Sequence, residues 1–163
     1  MDQRPRLTVA VRMERRRQPN QWEDWGFRVA EVVLDEGGFG TEPRLLRDDG
    51  DTAQWLYPGL QVALYRDEAE GYYLNLSSGQ AVWFVTWRLD ERPDATDPPV
   101  PRPEIVTVSY HEAGRWLDAQ ERVDNLPMPD EVRAGLQAYV DEHYRPEPKR
   151  RARPASFRNP EQR

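Results

Sequence analysis

Residues 7–13 read LTVAVRM, in which every second side chain is large and apolar: Leu7, Val9, Val11 and Met13. A period of two is that of a β-strand with one face buried in a core and the other face turned outward. We therefore predict a first strand here and expect a fold that is mostly β.

Two hairpins are predicted around this first strand. Residues 22–34 contain Phe27, Val29 and an apolar run to Leu34, and they end at the turn sequence DEGG, residues 35–38. We expect this second strand to pair with the first. The short apolar pieces at 43–46 and 53–56 flank the turn-forming sequence DDGD, residues 48–51, which predicts a tighter hairpin.

Residues 60–87 predict a meander of three strands. Residues 60–64 and 72–76 both alternate in polarity and are separated by the turn-like residues 67–71, which is the pattern of a hairpin. A second turn at 77–80 leads to residues 81–87, which are apolar on both faces. Such a strand is typical of a barrel, of a sandwich, or of a sheet covered by a helix.

The C-terminal half predicts helices. Residues 92–103 contain five prolines and are expected to form an extended surface connection, followed by a short strand at 105–108. Ser109 and Glu112 have the spacing of a capping box, which predicts the start of a helix. A second helix is predicted near Pro129, with an apolar face at Val132, Leu136, Tyr139, Val140 and His143.

These patterns predict an α+β fold that is mostly β, an antiparallel meander forming a small barrel or sandwich closed by one or two C-terminal helices. A length of 163 residues suits a single domain, which we place at residues 1–144. Residues 145–163 carry seven basic and two acidic residues with Phe157 as the sole apolar anchor, so we expect a disordered basic tail rich in Pro and Arg.

Composition excludes several classes of function. The chain has no cysteine, which excludes disulfides, thiolate metal sites and cysteine nucleophiles. Its net charge is −6, so the body of the protein is acidic and repels nucleic acid. We find no apolar stretch of the length that a membrane span requires and no secretory signal pattern at the start, and we expect a cytoplasmic location.

No catalytic motif is recognisable in the sequence. His111 and Glu112 lack the second histidine of a metal-binding helix, because Arg115 stands in its place. The glycine-rich residues 37–40 do not continue into a phosphate-binding pattern, and no serine lies in a nucleophile elbow. We therefore expect neither an enzyme nor a bound metal or cofactor.

The tryptophans admit two interpretations. Trp83 and Trp87 share one face of a predicted strand, which favours packing in the core, whereas an aromatic-lined groove for a peptide or partner is the alternative. The basic tail likewise is either a solubilising end or a segment that docks an acidic partner or nucleic acid.

Three segments carry a family resemblance: VAVRMERR at 9–16, WLYPGLQVALYRDEAEGYYLNLSS at 55–78 with the strand that follows, and VTVSYHEAGRWLDAQERVDNLPMPDEVRAGLQAYVDEHYRPEPKRR at 106–151. They resemble an uncharacterised bacterial family that is classed only as a domain of unknown function. Members of that family tend to be encoded near molybdenum-dependent oxidoreductases, particularly formate dehydrogenases. The resemblance implies an accessory role and transfers no catalytic residues.

Three functions are compatible with these observations. The first is a non-catalytic accessory protein that binds a larger protein partner, such as a molybdoenzyme subunit or maturation factor. The second is a small-ligand protein for a molybdopterin-type compound, which requires a concave aromatic pocket with basic groups. The third is a regulator that binds nucleic acid through its tail, and the oligomeric state is left open.

The candidate partner-binding residues combine membership of the family-like segments with suitable chemistry. In the body of the chain they are Asp67, Glu68, Glu70, Asn75, Tyr110, Glu112, Asp118 and Asp124, and in the tail Lys149, Arg150 and Arg151. Tyr72 is expected to point inward and Asn75 outward, because successive side chains of a strand face opposite ways. Gly71 is expected to serve the predicted turn.

Overall fold

The structure, a computed structural model, describes residues 4–19, 24–90 and 98–146. The first sheet, sheet A, is built from residues 6–63. Its strands are β1 (Arg6–Arg17), β2 (Trp25–Leu34), β3 (Arg44–Asp48) and β4 (Thr52–Ala63). They pair antiparallel in the order β2-β1-β4-β3, so the predicted first strand lies in the interior of the sheet and the two predicted hairpins are confirmed.

The second sheet, sheet B, alternates with the helices. A 3₁₀ turn at Arg66–Glu68 leads into α1 (Ala69–Ser77), and β5 (Val82–Asp90), β6 (Val100–Thr107), α2 (Tyr110–Asp118), β7 (Arg122–Pro127) and α3 (Asp130–His143) follow in that order. The strands of sheet B pair antiparallel in the order β6-β5-β7.

The core lies between the two sheets and beneath the helices. Val9, Val11 and Met13 of β1 are completely buried, and they belong to the same apolar cluster as Trp83 and Val85 of β5. The buried face of α3, formed by Val132, Leu136, Tyr139 and Val140, joins that cluster as its periodicity predicts. The described strands thus form a sandwich-like pair of sheets and no closed barrel, with a helix at the C-terminal end of the described chain.

The predicted strand at 72–76 is wrong, because these residues belong to α1. Its buried residues include Ala69, Tyr72 and Leu76, which are three and four positions apart as on one side of a helix. The predicted three-strand meander therefore does not form: residues 60–63 end β4 in sheet A, and β5 belongs to sheet B.

The proline-rich connection is also shorter than predicted. Strand β6 begins at Val100 and includes Pro101, which is buried, and Pro103. Proline has no N–H to donate, but β6 is an edge strand of sheet B and, among the described strands, pairs only with β5. The sequence also did not predict β7, whose six residues lie between the two helices.

Strand β3 is an exposed edge of sheet A. All five of its side chains are exposed, including Leu45 and Leu46. Its pairing with β4 shifts register between Leu45 and Arg47, so the edge carries a β-bulge. A bulged, short edge that carries two arginines is a poor template for a further strand.

The described helices are all too short and too polar to cross a membrane. Most of the predicted tail, residues 147–163, lies outside the described residues.

A buried carboxylate stabilises sheet A. The Glu14 side chain is 4% exposed and accepts hydrogen bonds from Arg28 Nε at 2.7 Å and from Gln54 Nε2 at 2.9 Å. Burial alone would raise the pKa of Glu14, but the hydrogen bonds from Arg28 and Gln54 and the charges of Arg28 and Arg16 together outweigh it and lower this pKa below its ordinary value. The ionised carboxylate therefore joins β1 to β2 and β4.

We predict that Glu14→Gln destabilises the protein by about 1–3 kcal/mol at neutral pH, because a charged hydrogen-bond acceptor is lost. A lowered pKa in the folded state contributes stability above the unfolded pKa of about 4.3, and this contribution is lost as the pH falls through the folded value. The difference between wild type and variant should therefore shrink in acid, which urea unfolding at a series of pH values measures. Glu36→Gln, at an exposed position, is the control. If the free energies of unfolding of wild type and Glu14→Gln differ by the same amount at every pH down to about 3, the lowered pKa of Glu14 is contradicted.

Candidate functional site: the acidic face of helices α1 and α2

The start of α2 is fixed by Ser109. This residue is completely buried, and its Oγ accepts a hydrogen bond from the backbone N–H of Glu112 at 3.1 Å, which confirms the predicted N-cap. The same hydroxyl donates to Glu68 Oε2 at 2.6 Å. Ser109 therefore joins the beginning of α2 to the residue that precedes α1.

Gly71 allows the two helices to approach each other. A Cβ atom placed on Gly71 would collide with the Ser109 side chain and press against the backbone nitrogen of His111. Gly71 lies inside α1 and not in a hairpin turn as predicted. The close approach of α1 to the start of α2 therefore requires glycine at position 71.

Glu68 is the central carboxylate of the site. Its second oxygen, Oε1, accepts a hydrogen bond from Arg115 Nη2 at 2.5 Å. Burial alone would raise the pKa of Glu68, but the hydrogen bonds from Ser109 and Arg115 lower it below its ordinary value. The hydrogen bond to Glu68 in turn raises the pKa of Arg115, so the pair is held in its ionised form.

Further charges surround this pair. Glu70 Oε1 lies 2.8 Å from His111 Nε2, and the Glu70 side chain is exposed while that of His111 is half-buried. Asp67 and Glu112 also act electrostatically on Arg115. We call Asp67, Glu68, Glu70 and Glu112, together with His111 and Arg115, the acidic α1–α2 face.

This face consists of charged side chains that hydrogen bonds and ion pairs hold in place. The Ser109 hydroxyl already donates one hydrogen bond and accepts another in a fully buried position, so it has no access to a substrate carbonyl. Within the described residues, no group of three or more His, Asp or Glu side chains is placed to hold a metal ion. Four carboxylates against one arginine and one histidine give a surface that complements a cationic partner.

The structure brings four of the predicted residues, Asp67, Glu68, Glu70 and Glu112, into this one face. Tyr110 is exposed at the first residue of α2 and contacts Phe84 edge-on, with ring centroids 6.4 Å apart. Asp118 is exposed at the last residue of α2. Lys149, Arg150 and Arg151 lie outside the described residues.

Asn75 was expected to face outward, and this is wrong. Its side chain is 1% exposed and donates to the backbone oxygens of Val82 and Val108 at 2.8 and 2.9 Å, while its Oδ1 accepts from Val82 N at 3.0 Å. A side chain so enclosed has no surface to offer a partner.

Asp124 and Tyr72 also make internal contacts. Asp124 Oδ2 accepts a hydrogen bond from the backbone N–H of Val29 at 2.8 Å, which connects β7 to β2 across the sandwich. Tyr72 is buried as predicted and accepts from Tyr65 N at 2.9 Å, and burial raises its pKa above the ordinary value. Both residues position other elements of the fold.

The sequence did not single out Ser109, His111 and Arg115 as parts of the site. The capping box gave a signal for Ser109, and the spacing of His111 and Arg115 by four residues places them on the same side of α2. Trp83 and Trp87 are buried in the core, which confirms the favoured interpretation, although Trp87 also contributes to the wall of a surface cleft.

The chain matches the model of a known protein family. The model of a family described as "Protein of unknown function (DUF3305)" matches residues 8–153. No curated protein and no solved structure matches the chain.

We predict that Ser109→Ala destabilises the protein by about 1–3 kcal/mol, because both the N-cap of α2 and the hydrogen bond to Glu68 are lost. The pKa of Glu68 should rise at the same time, which carboxyl-carbon NMR measures. Ser77→Ala, at an exposed serine of α1, is the control and should change stability by no more than about 0.5 kcal/mol. Equal stability of the two variants would exclude the proposed role of Ser109.

We predict a larger effect for Asn75→Ala, about 3 kcal/mol or more, because a buried N–H and two carbonyl oxygens lose their partner. Chemical denaturation checks this value. Asn125→Ala, at an exposed position of β7, should stay within about 0.5 kcal/mol of wild type. A small loss at Asn75 would show that the three hydrogen bonds do not hold α1 in place.

Proposed function

The chain belongs to the family of proteins of unknown function (DUF3305), and we propose that it is a non-catalytic accessory protein that binds a larger partner through its acidic α1–α2 face. The observation that supports this proposal is the network around Glu68, in which Ser109 and Arg115 hold the carboxylate in one position. A preorganised charge loses little conformational freedom when a partner binds.

The charge of this face indicates the chemistry of the partner. Asp67 and Glu70 are exposed and lie beside the Glu68–Arg115 pair, so the face offers carboxylates to a cationic patch. Arginine and lysine side chains of a partner would form charge-assisted hydrogen bonds with them. Binding of this kind is fast and specific, and it weakens as salt is added.

The family resemblance suggests which partner this is. Because members of the family tend to be encoded near formate dehydrogenases, we propose a subunit or maturation factor of a molybdenum-dependent oxidoreductase, present in the cytoplasm. In this role the chain would assist assembly or maturation and would itself carry out no reaction.

A charge-reversal experiment tests this proposal. The tagged chain is used to capture partners from its native host, and Asp67→Lys combined with Glu70→Lys is compared with wild type and with Glu36→Lys, a control at an exposed loop position. We expect wild type and control to recover a molybdoenzyme subunit or maturation factor, identified by mass spectrometry, and the double variant to recover at least about tenfold less. The recovery should also fall with increasing salt.

Two outcomes would contradict it. Equal recovery by the double variant would show that the acidic α1–α2 face is not the docking surface. Loss of the partner on removal of residues 145–163, with no effect of the charge reversal, would place docking in the tail. The nucleic-acid alternative also depends on that tail and predicts DNA or RNA binding that vanishes with the same truncation.

A further inference from the structure

A concave site, separate from the acidic α1–α2 face, lies between the ends of the two sheets. Trp25 and Phe27 of β2, Trp87 and Leu89 of β5 and Arg122 of β7 line a cleft of about 490 Å³. Its volume falls within the range of about 300–1,000 Å³ that is usual for small-molecule sites. The cleft uses none of the residues of the acidic α1–α2 face.

The walls of the cleft are aromatic. Phe27 and Trp87 lie with ring centroids 6.3 Å apart and planes inclined at 46°, and Trp25 and Phe27 are half-buried, so parts of their surfaces remain accessible. Trp87 is 6% exposed, and its Nε1–H has no hydrogen-bond acceptor among the described residues. Trp25 and Phe27 therefore provide the accessible part of the aromatic wall.

Guanidinium groups lie against both tryptophans. Arg122 Cζ is 5.4 Å from the centre of the Trp87 ring, and Arg17 Cζ is 4.7 Å from that of Trp25. Arg17 is paired with Asp51, whereas Arg122 has no carboxylate within ion-pair distance in the described part of the chain. Asp24 is the acidic residue in the lining, and it is exposed.

We infer that this cleft binds a planar, anionic heterocyclic ligand. The ring lies against the accessible surfaces of Trp25 and Phe27, and Arg122, which lies over the buried Trp87, pairs with the anionic group. Aromatic side chains supply stacking area, and a guanidinium that contacts an indole ring keeps N–H groups available to a phosphate or carboxylate. This inference does not depend on the accessory role, because it rests on different residues.

Two flavins that share one ring system test it directly. Riboflavin carries the ring without a phosphate, and flavin mononucleotide carries the same ring with one. Stacking on tryptophan quenches flavin fluorescence, so titration with the full-length protein gives an affinity for each. We expect flavin mononucleotide to bind about tenfold more tightly than riboflavin, and its binding to shift the indole N–H signals of Trp25 and Trp87 in NMR spectra.

Variants at the cleft separate charge from stacking. Arg122→Gln should abolish the preference for flavin mononucleotide and leave riboflavin binding unchanged, and Arg122→Lys should restore part of the preference. Phe27→Leu should weaken both flavins alike. Arg102→Gln, at an arginine of β6 that pairs with Asp90 and Glu104, is the control and should bind as wild type does.

Three results would overturn the inference. The first is that neither flavin shows saturable quenching, and the second is that wild type binds both flavins equally. The third is that the NMR shifts are confined to residues outside the cleft. Thermal unfolding monitored by circular dichroism confirms that each variant is folded before its binding is compared. Because the acidic α1–α2 face is untouched in these variants, partner capture and flavin binding can fail independently.

Discussion

The amide of Asn75 is the constraint on which the arrangement of the helices depends. One buried side chain holds α1 to the first residue of β5 and to Val108, the residue directly after β6. Ser109 is the next residue in the chain, so the position of Val108 also decides where α2 begins. A buried amide is tolerated only when its donors and acceptor are satisfied, and this requirement leaves α1 a single position relative to sheet B.

Local patterns predicted the fold where they were long enough to be unambiguous. The alternation in β1 and the helical period of α3 each extend over several repeats, and the Ser109 cap is a contact between residues three positions apart. Residues 72–76 were misjudged, because over five residues an alternating pattern and one side of a helix bury nearly the same positions. The helix is stabilised by contacts outside these five residues, including the hydrogen bond from Asn75 to Val108, 33 positions later in the chain.

The candidate site could be predicted only in part for the same reason. Acidic residues near 67–70 and 112 are visible in the sequence, but the pairs that organise them join Glu68 to Arg115 and Glu70 to His111 across more than forty positions. Strand β6 shows a different limit. The rule that proline disrupts sheets is sound, yet an edge strand is exempt from it, and a sequence does not show which strand lies at an edge.

The division of the chain between the two sheets has a consequence for biosynthesis. Sheet A is complete at residue 63, so all of its strand pairs can form while the rest of the protein is still being synthesised. Its inner face, with Val9, Val11 and Met13, then stays open to solvent until β5 and α3 have left the ribosome. During that interval the nascent chain exposes an apolar sheet, which is the surface that chaperones bind and that leads to aggregation when translation stalls.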